Sequence, residues 1–191
     1  MSGRNEDAEL LHATLDEQVE KLTRLIPEYI FAMQDQPIER TVFDLLINKG
    51  LTFASAESCT GGNIAHVVTL IPGSSEVFKG TAVTYATPMK TKVLGVPAAI
   101  IEQCGVVSQE VVEGMASGVR NLMESDFGVA TTGVAGPGGG TEENPVGTVW
   151  IGVASKEGVV SKRFNFGKDR ENVINRATIM AYEMLREQLI K

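Results

Sequence analysis

Apolar residues near the start of the chain recur every three or four positions, the spacing of one helix face: Leu11, Leu15, Val19, Leu22 and Ile26. This spacing predicts a helix that ends before Pro27. The stretch Tyr29–Pro37 lacks such a repeat and ends in a proline, so it predicts a connector. We therefore expect an N-terminal helical arm over residues 1–37 and a compact domain over residues 38–191.

Within residues 38–191, helical patterns alternate with short apolar runs that are typical of buried strands. The predicted strands are Leu51–Ala56, Thr81–Tyr85, Phe127–Thr132, Thr148–Ala154 and Val159–Phe166. The predicted helices begin near Ile38, Asn63, Pro88, Ala98, Ser108 and Val173. The last two strands flank Lys156-Glu157-Gly158 and predict a hairpin. Alternating helices and strands followed by a hairpin predict an α/β fold, a three-layer α/β/α sandwich with a mixed sheet.

Composition narrows the class of protein. The chain has 191 residues with 24 acidic and 17 basic side chains, a net charge of -7, and no basic cluster of the kind that nucleic acid or an anionic membrane attracts. The charged beginning MSGRNEDAEL differs from a secretory signal, and no apolar run is long enough to span a membrane. We expect a cytoplasmic protein in which Cys59 and Cys104 are free thiols.

Chemistry is expected where strands end, because ligands of open α/β sheets bind beyond the carboxyl ends of the strands. Three unusual segments fall there: Ala56–Gly62, Tyr85–Lys92 and the Gly-rich Gly133–Gly140. A fourth candidate is Asp169-Arg170, at the start of the last predicted helix.

The first segment has two interpretations. Ser58 can be a nucleophile beside the helix N-terminus that begins at Thr60-Gly61-Gly62, where backbone N–H groups stabilise negative charge. Alternatively, Ser58 or Thr60 is simply the N-cap of that helix, which spacing alone favours. Cys59 is a further candidate nucleophile, but a thiolate requires a base partner.

A catalytic serine here requires a base other than histidine, because neither His12 nor His66 is well placed for the first segment. A lysine can act as a base if burial or a neighbouring cation lowers its pKa. Lys90 and Lys92 are the candidates, and the alternative is that both are solvated helix lysines. Tyr85 either orients a hydroxyl or proton, or is a packing residue.

The Gly133–Gly140 loop contains five glycines but no Walker or dinucleotide-binding signature. It either allows close backbone approach to a phosphate or is a flexible surface loop. Arg170 can offer a planar fork to a phosphate or carboxylate, and the alternative is an exposed ion pair with Glu171 or Asp169.

The segment Ala56-Glu57-Ser58-Cys59-Thr60-Gly61-Gly62 resembles the AESCTGG signature of the CinA C-terminal-domain family, the competence/damage-inducible proteins whose characterised members are nicotinamide mononucleotide deamidases. Further blocks resemble the family in order and spacing over about residues 38–190. They are Pro72–Ser75, Val83–Tyr85 with Lys90, Leu94–Val96, Gly105–Ser108, Thr132–Gly139, Pro145–Val149 and Gly167–Arg170.

The resemblance implies an amidohydrolase that converts nicotinamide mononucleotide and water to nicotinate mononucleotide and ammonia, in pyridine nucleotide (NAD) salvage. Ser58 would be the nucleophile, Lys90 its base and Tyr85 an assisting residue. The N–H groups of Thr60, Gly61 or Gly62 would hold the oxyanion.

The remaining implied site residues surround the rest of the substrate. Glu57 would belong to the oxyanion and substrate-binding set, and Arg170 would bind the ribose phosphate. The backbone from Thr132 through Gly133 and Ala135 to Gly136 would receive the same phosphate. The resemblance implies no metal and no organic cofactor, a small-molecule nucleotide as partner, no nucleic acid or membrane partner, and a homo-oligomer, most simply a dimer.

Two features depart from the family. Where the family usually reads Tyr-Ser-Asn-Glu-Ala-Lys, this chain has Thr87 in place of the asparagine, although the spacing from Tyr85 to Lys90 is kept. Longer family members carry a pterin-binding-like domain before this one, and here an arm of about 37 residues precedes the matched region.

The lost amide favours an alternative, a nucleotide-binding or regulatory module that does not turn substrate over. A structural partner in competence or DNA-damage responses is a third reading, suggested only by the family's name.

Overall fold

The structure is a computed structural model that describes residues 7–26 and 35–191. Contacts divide the chain into two units, Met1–Gln36 and Pro37–Lys191. The first contains helix α1 (Ala8–Leu25), whose N-cap Asp7 accepts hydrogen bonds from the N–H groups of Glu9 and Leu10. The predicted N-terminal helix is therefore present, whereas most of the predicted connector lies outside the described residues.

The second unit alternates helices and strands as the sequence predicts. Its strands are β1 (Phe53–Glu57), β2 (Phe78–Val83), β3 (Phe127–Gly133), β4 (Thr148–Ser155) and β5 (Gly158–Asn165). Its α-helices are α2 (Ile38–Lys49), α3 (Asn63–Thr69), α4 (Thr87–Leu94), α5 (Ala98–Cys104), α6 (Gln109–Leu122) and α7 (Arg170–Leu189). A short 3₁₀ helix, Ser74–Glu76, precedes β2.

The five strands form one mixed sheet in the order β2-β1-β3-β4-β5. β1 lies parallel to both β2 and β3, so these three carboxyl ends share one edge of the sheet. β4 runs antiparallel to β3 and to β5, and the β4–β5 pair is the predicted hairpin. The α/β fold with a mixed sheet is confirmed.

Apolar side chains fill both faces of the sheet and give the molecule its three layers. On one face, residues of α2, α3 and α7 pack against β1, β3 and β4, with Leu46, Ile64 and Leu185 fully buried. On the other face, α4 and α6 pack against the alanines of the strands, with Met115 fully buried. Small side chains on this second face allow α6 to approach the sheet closely, since a Cβ at Gly128 would lie 2.1 Å from the carbonyl oxygen of Ala116.

β1 begins two residues later than the predicted Leu51–Ala56, at Phe53, and β2 shows the largest difference from its predicted position. The sequence predicts Thr81–Tyr85, whereas β2 spans Phe78–Val83. β2 is an edge strand with exposed Lys79 and a glycine at position 80, so its first half shows no continuous apolar run. The register with β1 also shifts between Phe53 and Ala54, because Phe53 pairs with Phe78 and Ala54 with Gly80, which leaves Lys79 as the extra residue of β2. Thr84 and Tyr85 consequently lie just beyond the strand, at the edge where ligands of open α/β sheets are expected to bind.

Candidate active site

Ser58 and Lys90 meet beyond the ends of β1 and β2. Ser58 follows the last residue of β1, and Lys90 projects from α4, which starts shortly after β2. Lys90 Nζ lies 3.1 Å from Ser58 Oγ and donates to the backbone carbonyl of Thr84 at 2.7 Å. Since Thr84 N–H itself donates to the carbonyl of Glu57 at 2.9 Å, the two strand ends are joined at this point. The geometry therefore places a base candidate against a hydroxyl.

Lys90 is buried, with 1% of its surface exposed. Burial lowers the pKa of Lys90 below its usual value, because the ammonium form loses its hydration. Lys90 forms no ion pair with a carboxylate among the described residues. The buried lysine on α4 is thus Lys90, while Lys92 on the same helix is exposed. Lys90 is therefore the better base of the two predicted candidates.

Neither Ser58 nor Thr60 is the N-cap of α3, which was the alternative to a nucleophile. The cap position is Gly62, in the left-handed region with φ of 104°. Its capping oxygens come from Glu57, whose fully buried carboxylate accepts hydrogen bonds from the N–H groups of Gly62, Ile64 and Ala65. Ser58 is thereby free of a capping function.

The predicted oxyanion donors differ in what they already bind. The N–H group of Gly61 donates to the carbonyl of Ser58 at 3.1 Å, and that of Gly62 donates to Glu57 at 2.9 Å. The N–H group of Thr60 donates to no carbonyl or carboxylate oxygen in the described part of the chain. The Thr60 hydroxyl is turned inward, 2.7 Å from a Glu57 carboxylate oxygen.

Cys59, next to the candidate nucleophile, is a poor nucleophile itself. Burial raises the pKa of the Cys59 thiol to about 12, an effect that a hydrogen bond with Thr131 only partly offsets. The thiol therefore stays protonated at neutral pH. This leaves Ser58 as the hydroxyl of the segment that lies within hydrogen-bond distance of the Lys90 amine.

Tyr85, Arg170 and the Gly-rich loop meet beside the Ser58–Lys90 pair. Arg170, at the start of α7, donates to the Tyr85 hydroxyl at 2.8 Å and to the carbonyl of Gly136 at 2.6 Å. Its guanidinium therefore bonds neither Glu171 nor Asp169, and Asp169 instead caps α7 through Asn172 N–H. The Thr84 carbonyl accepts a hydrogen bond from Lys90, and the hydroxyl of the next residue, Tyr85, accepts one from Arg170. These two consecutive residues therefore link the Ser58–Lys90 pair to Arg170.

The Gly-rich loop is held by close backbone contacts. A Cβ at Gly136 would lie 2.6 Å from a Val146 methyl carbon, and one at Gly133 would lie 2.5 Å from the carbonyl oxygen of Thr148. Thr132, one residue before the end of β3, donates its hydroxyl to the carbonyl of Val106, and Ala135 is buried. The structure thus brings this predicted phosphate segment to the same edge as Arg170.

Thr84 was not among the residues predicted from the sequence, although its carbonyl positions Lys90. Every residue has a backbone carbonyl, so the residue type at position 84 does not indicate that its carbonyl has a role. Its own hydroxyl is buried without a hydrogen-bond partner among the described residues. The hydroxyls of Ser55 and Thr81, which lie 3.3 and 3.4 Å from a Glu57 oxygen, were also unforeseen. Polar residues inside a buried apolar strand are the signal that marks them.

A concave region of about 670 Å³ lies at the opposite end of the sheet from Ser58 and Lys90. It is lined by the ends of α2, α6 and α7, and its basic side chains include Lys49, Arg120 and Lys191. Basic residues commonly complement the negative end of a helix, which explains their presence there.

No helix among the described residues is long and apolar enough to cross a membrane.

Comparison with known proteins identifies the family. The model of the CinA C-terminal domain matches residues 35–189, most of the chain. This chain belongs to the CinA C-terminal-domain family. A CinA-like protein from Flavobacterium psychrophilum is 43% identical over 192 residues, which cover 100% of this chain and 46% of that relative. A CinA-like protein from Fervidobacterium nodosum is 42% identical over 177 residues, which cover 93% of this chain and 43% of that relative.

The chain thus spans less than half the length of these two CinA-like relatives. Solved structures agree with the CinA assignment. The competence/damage inducible protein CihA from Agrobacterium tumefaciens is similar with a TM-score of 0.78 and 36% identity, covering 81% of this chain and 94% of that one. A CinA superfamily protein from Klebsiella pneumoniae has a TM-score of 0.77 and 31% identity, covering 81% and 99%.

Proposed function

We propose that this CinA-family chain is an amidohydrolase that converts nicotinamide mononucleotide and water to nicotinate mononucleotide and ammonia. The observation that carries the proposal is the contact of Lys90 Nζ with Ser58 Oγ at 3.1 Å, made by a lysine whose pKa burial lowers. A neutral amine beside a hydroxyl is the arrangement that a serine nucleophile requires in the absence of histidine. The substrate comes from the family resemblance, and its chemistry fits the site.

The reaction begins with proton transfer. Neutral Lys90 donates one N–H to the carbonyl of Thr84, which orients its lone pair toward the Ser58 hydroxyl. Lys90 accepts the Ser58 proton as Ser58 Oγ attacks the carboxamide carbon. The tetrahedral oxyanion is stabilised by backbone N–H groups of the turn after Ser58. Its collapse breaks the C–N bond, and Lys90 returns the proton to the departing ammonia.

The second half of the reaction hydrolyses the ester on Ser58. Water enters the position that ammonia has left, and Lys90, neutral again, accepts a proton from it. The resulting attack releases nicotinate mononucleotide and regenerates the Ser58 hydroxyl. No step draws on a group outside the chain, the nucleotide and water.

Arg170 and the loop from Thr132 to Gly136 form the proposed phosphate end of the site. A guanidinium carries five N–H donors, of which two serve Gly136 and Tyr85, so donors remain for a phosphate. The Tyr85 hydroxyl holds this guanidinium beside the reacting pair. Since Thr84 and Tyr85 are consecutive, one dipeptide positions Lys90 at the amide end and Arg170 at the proposed phosphate end of the site.

The direct test is ammonia release by purified protein from nicotinamide mononucleotide and, in parallel, from nicotinamide riboside. We expect turnover of the mononucleotide and much weaker turnover of the riboside, which lacks the phosphate. Saturable binding of the mononucleotide without ammonia release would instead support the alternative, a nucleotide-binding module, for which Thr87 in place of the family's asparagine is the motivating difference. Restoring that amide with Thr87→Asn is then the next experiment.

A further inference from the structure

Glu57 is a fully buried carboxylate in the position directly before Ser58. Glu57 forms no ion pair with a basic side chain among the described residues, so hydrogen bonds alone must compensate for its lost hydration. A carboxylate can accept several such bonds at once. The surroundings of Glu57 supply them.

Four donors to Glu57 come from the segment that immediately follows Ser58. One carboxylate oxygen accepts from the Thr60 hydroxyl at 2.7 Å, from Gly62 N–H at 2.9 Å and from Ile64 N–H at 3.1 Å. The other oxygen accepts from Ala65 N–H at 3.0 Å. The chain thus leaves β1 at Glu57, turns through Ser58 and returns to the same carboxylate.

The bonds to Glu57 use three of the eight N–H groups from Ser58 to Ala65, and backbone carbonyls accept from three more. Ser58 N–H donates to Thr131, Gly61 N–H to Ser58, and Asn63 N–H to Thr60. Of this stretch, only the N–H groups of Cys59 and Thr60 donate to no carbonyl or carboxylate oxygen in the part of the chain that the structure describes. Among the described residues, the Cys59 N–H interacts only with its own sulfur, a weak acceptor, so the N–H groups of Cys59 and Thr60 are the ones that a ligand oxygen can satisfy.

We propose that Glu57 is a positioning residue for Ser58, and that by occupying the N–H groups at the start of α3 it leaves the oxyanion to the N–H groups of Cys59 and Thr60. This inference rests on the proposed amide hydrolysis. It removes Gly61 and Gly62 from the oxyanion set, because their N–H groups already have acceptors. The N–H of the residue after a nucleophilic serine serves the same purpose in other hydrolases.

The geometry also explains why a carboxylate is required. Backbone N–H groups face both oxygens of Glu57, and a backbone N–H cannot reverse to accept a hydrogen bond. Glu57→Gln has nearly the same shape but points an NH₂ group at Ala65 N–H or at those of Gly62 and Ile64. The turn must then shift, and the Ser58 hydroxyl moves relative to Lys90.

The experiment compares Glu57→Gln with the wild-type protein and with Glu76→Gln, the same substitution at an exposed glutamate. For Glu57→Gln we expect kcat for nicotinamide mononucleotide to fall about 100-fold, the scale of a misplaced reacting group, with KM changed less than about twofold. Glu76→Gln should match the wild type in both parameters. A fall in kcat without a rise in KM separates positioning from substrate binding.

A second measurement follows Ser58 without the nucleotide. The labelling rate of Ser58 by a fluorophosphonate should fall in Glu57→Gln, and backbone hydrogen exchange at residues 62–65 should accelerate. Should Glu57→Gln not fold, Thr60→Val removes one donor to the same carboxylate and is expected to lower kcat and labelling by a smaller factor.

The outcomes are distinguishable. Wild-type kcat and labelling in folded Glu57→Gln overturn the inference while leaving the proposed hydrolysis intact. A raised KM with unchanged kcat also overturns it, because Glu57 would then contact substrate. A wild-type protein that neither releases ammonia nor reacts with the fluorophosphonate contradicts the proposed function itself.

Discussion

At the residue scale, the account depends on burial of a single lysine. Lys90 is held between Ser58 Oγ and the Thr84 carbonyl, and Lys92, two positions later, is exposed. Residue type and position do not rank the two lysines, and in the sequence only the family resemblance points to Lys90. The structure distinguishes the two lysines as candidate bases, because α4 buries Lys90 against the strand ends.

The lowered pKa of Lys90 gives a prediction for pH dependence. Burial favours the neutral form of Lys90, which is the active base, so kcat/KM should be maximal above the lowered pKa and fall as the pH drops through it. The measurement is ammonia release across the pH range at saturating and limiting substrate. Lys92→Met, a change on the same helix, should keep the whole profile. A rate that stays flat from pH 5 to 9 while chemistry limits turnover argues against a neutral lysine.

A second prediction concerns the phosphate end. Arg170→Met removes the guanidinium that contacts Tyr85 and Gly136, and it should raise KM for nicotinamide mononucleotide about tenfold or more, since charge-assisted bonds to phosphate are lost. The riboside, which has no phosphate, should respond weakly. Arg176→Met, an arginine further along α7, is the control. Equal losses for mononucleotide and riboside would show that Arg170 does not bind the phosphate.

At the element scale, α4 is positioned by a close approach to α6. A Cβ at Gly118 would lie 2.1 Å from the carbonyl oxygen of Leu94, the last residue of α4, so these two backbones are in direct contact. Four residues earlier on α6, a Cβ at Gly114 would be 3.4 Å from a Val96 methyl group, an ordinary contact. The two glycines thus look alike in the sequence but differ in the structure.

The pair supports a matched prediction. Gly118→Ala forces α4 away from α6 and should lower the free energy of unfolding by about 1–3 kcal/mol, with a loss of kcat because Lys90 moves with α4. Gly114→Ala should be near neutral or stabilising by up to about 1 kcal/mol through helix propensity. Denaturant unfolding and ammonia release measure both effects. Equal stability of the two variants would contradict the proposed role of the α4–α6 contact.

Most elements of the fold could be predicted from the sequence, because the apolar spacing of α7 and the runs of β3 and β4 reflect burial directly. Ser108 is the predicted N-cap of α6, and its hydroxyl accepts from Val111 N–H. β2 was predicted three residues too late, since an edge strand with a lysine and a glycine buries too little to show a pattern. The cap of α3 was missed because Glu57 reaches it from the strand before the turn.

At the scale of the whole molecule, every contact assigned to the site lies within the unit Pro37–Lys191. The chain covers less than half of its CinA-like relatives from Flavobacterium psychrophilum and Fervidobacterium nodosum. A cytoplasmic location, the homo-oligomer and the division of the chain into an arm and a domain remain predictions.

A truncation tests the division of the chain. A protein comprising residues 37–191 should fold, with kcat and KM within about twofold of the full chain, because the partners of Lys90 and Arg170 at the site, Ser58, Thr84, Tyr85 and Gly136, all belong to the unit Pro37–Lys191. Circular dichroism and ammonia release check this. Loss of activity in a folded truncated protein would show that the arm contributes to the site.

The most direct test of the central claim is ammonia release from nicotinamide mononucleotide by wild-type protein and by Ser58→Ala, with Ser75→Ala, a change at an exposed serine, as the control. The account predicts turnover by the wild type and by Ser75→Ala, and none above background by folded Ser58→Ala that still binds the nucleotide. Sustained ammonia release by folded Ser58→Ala would contradict the assignment of Ser58 as the nucleophile.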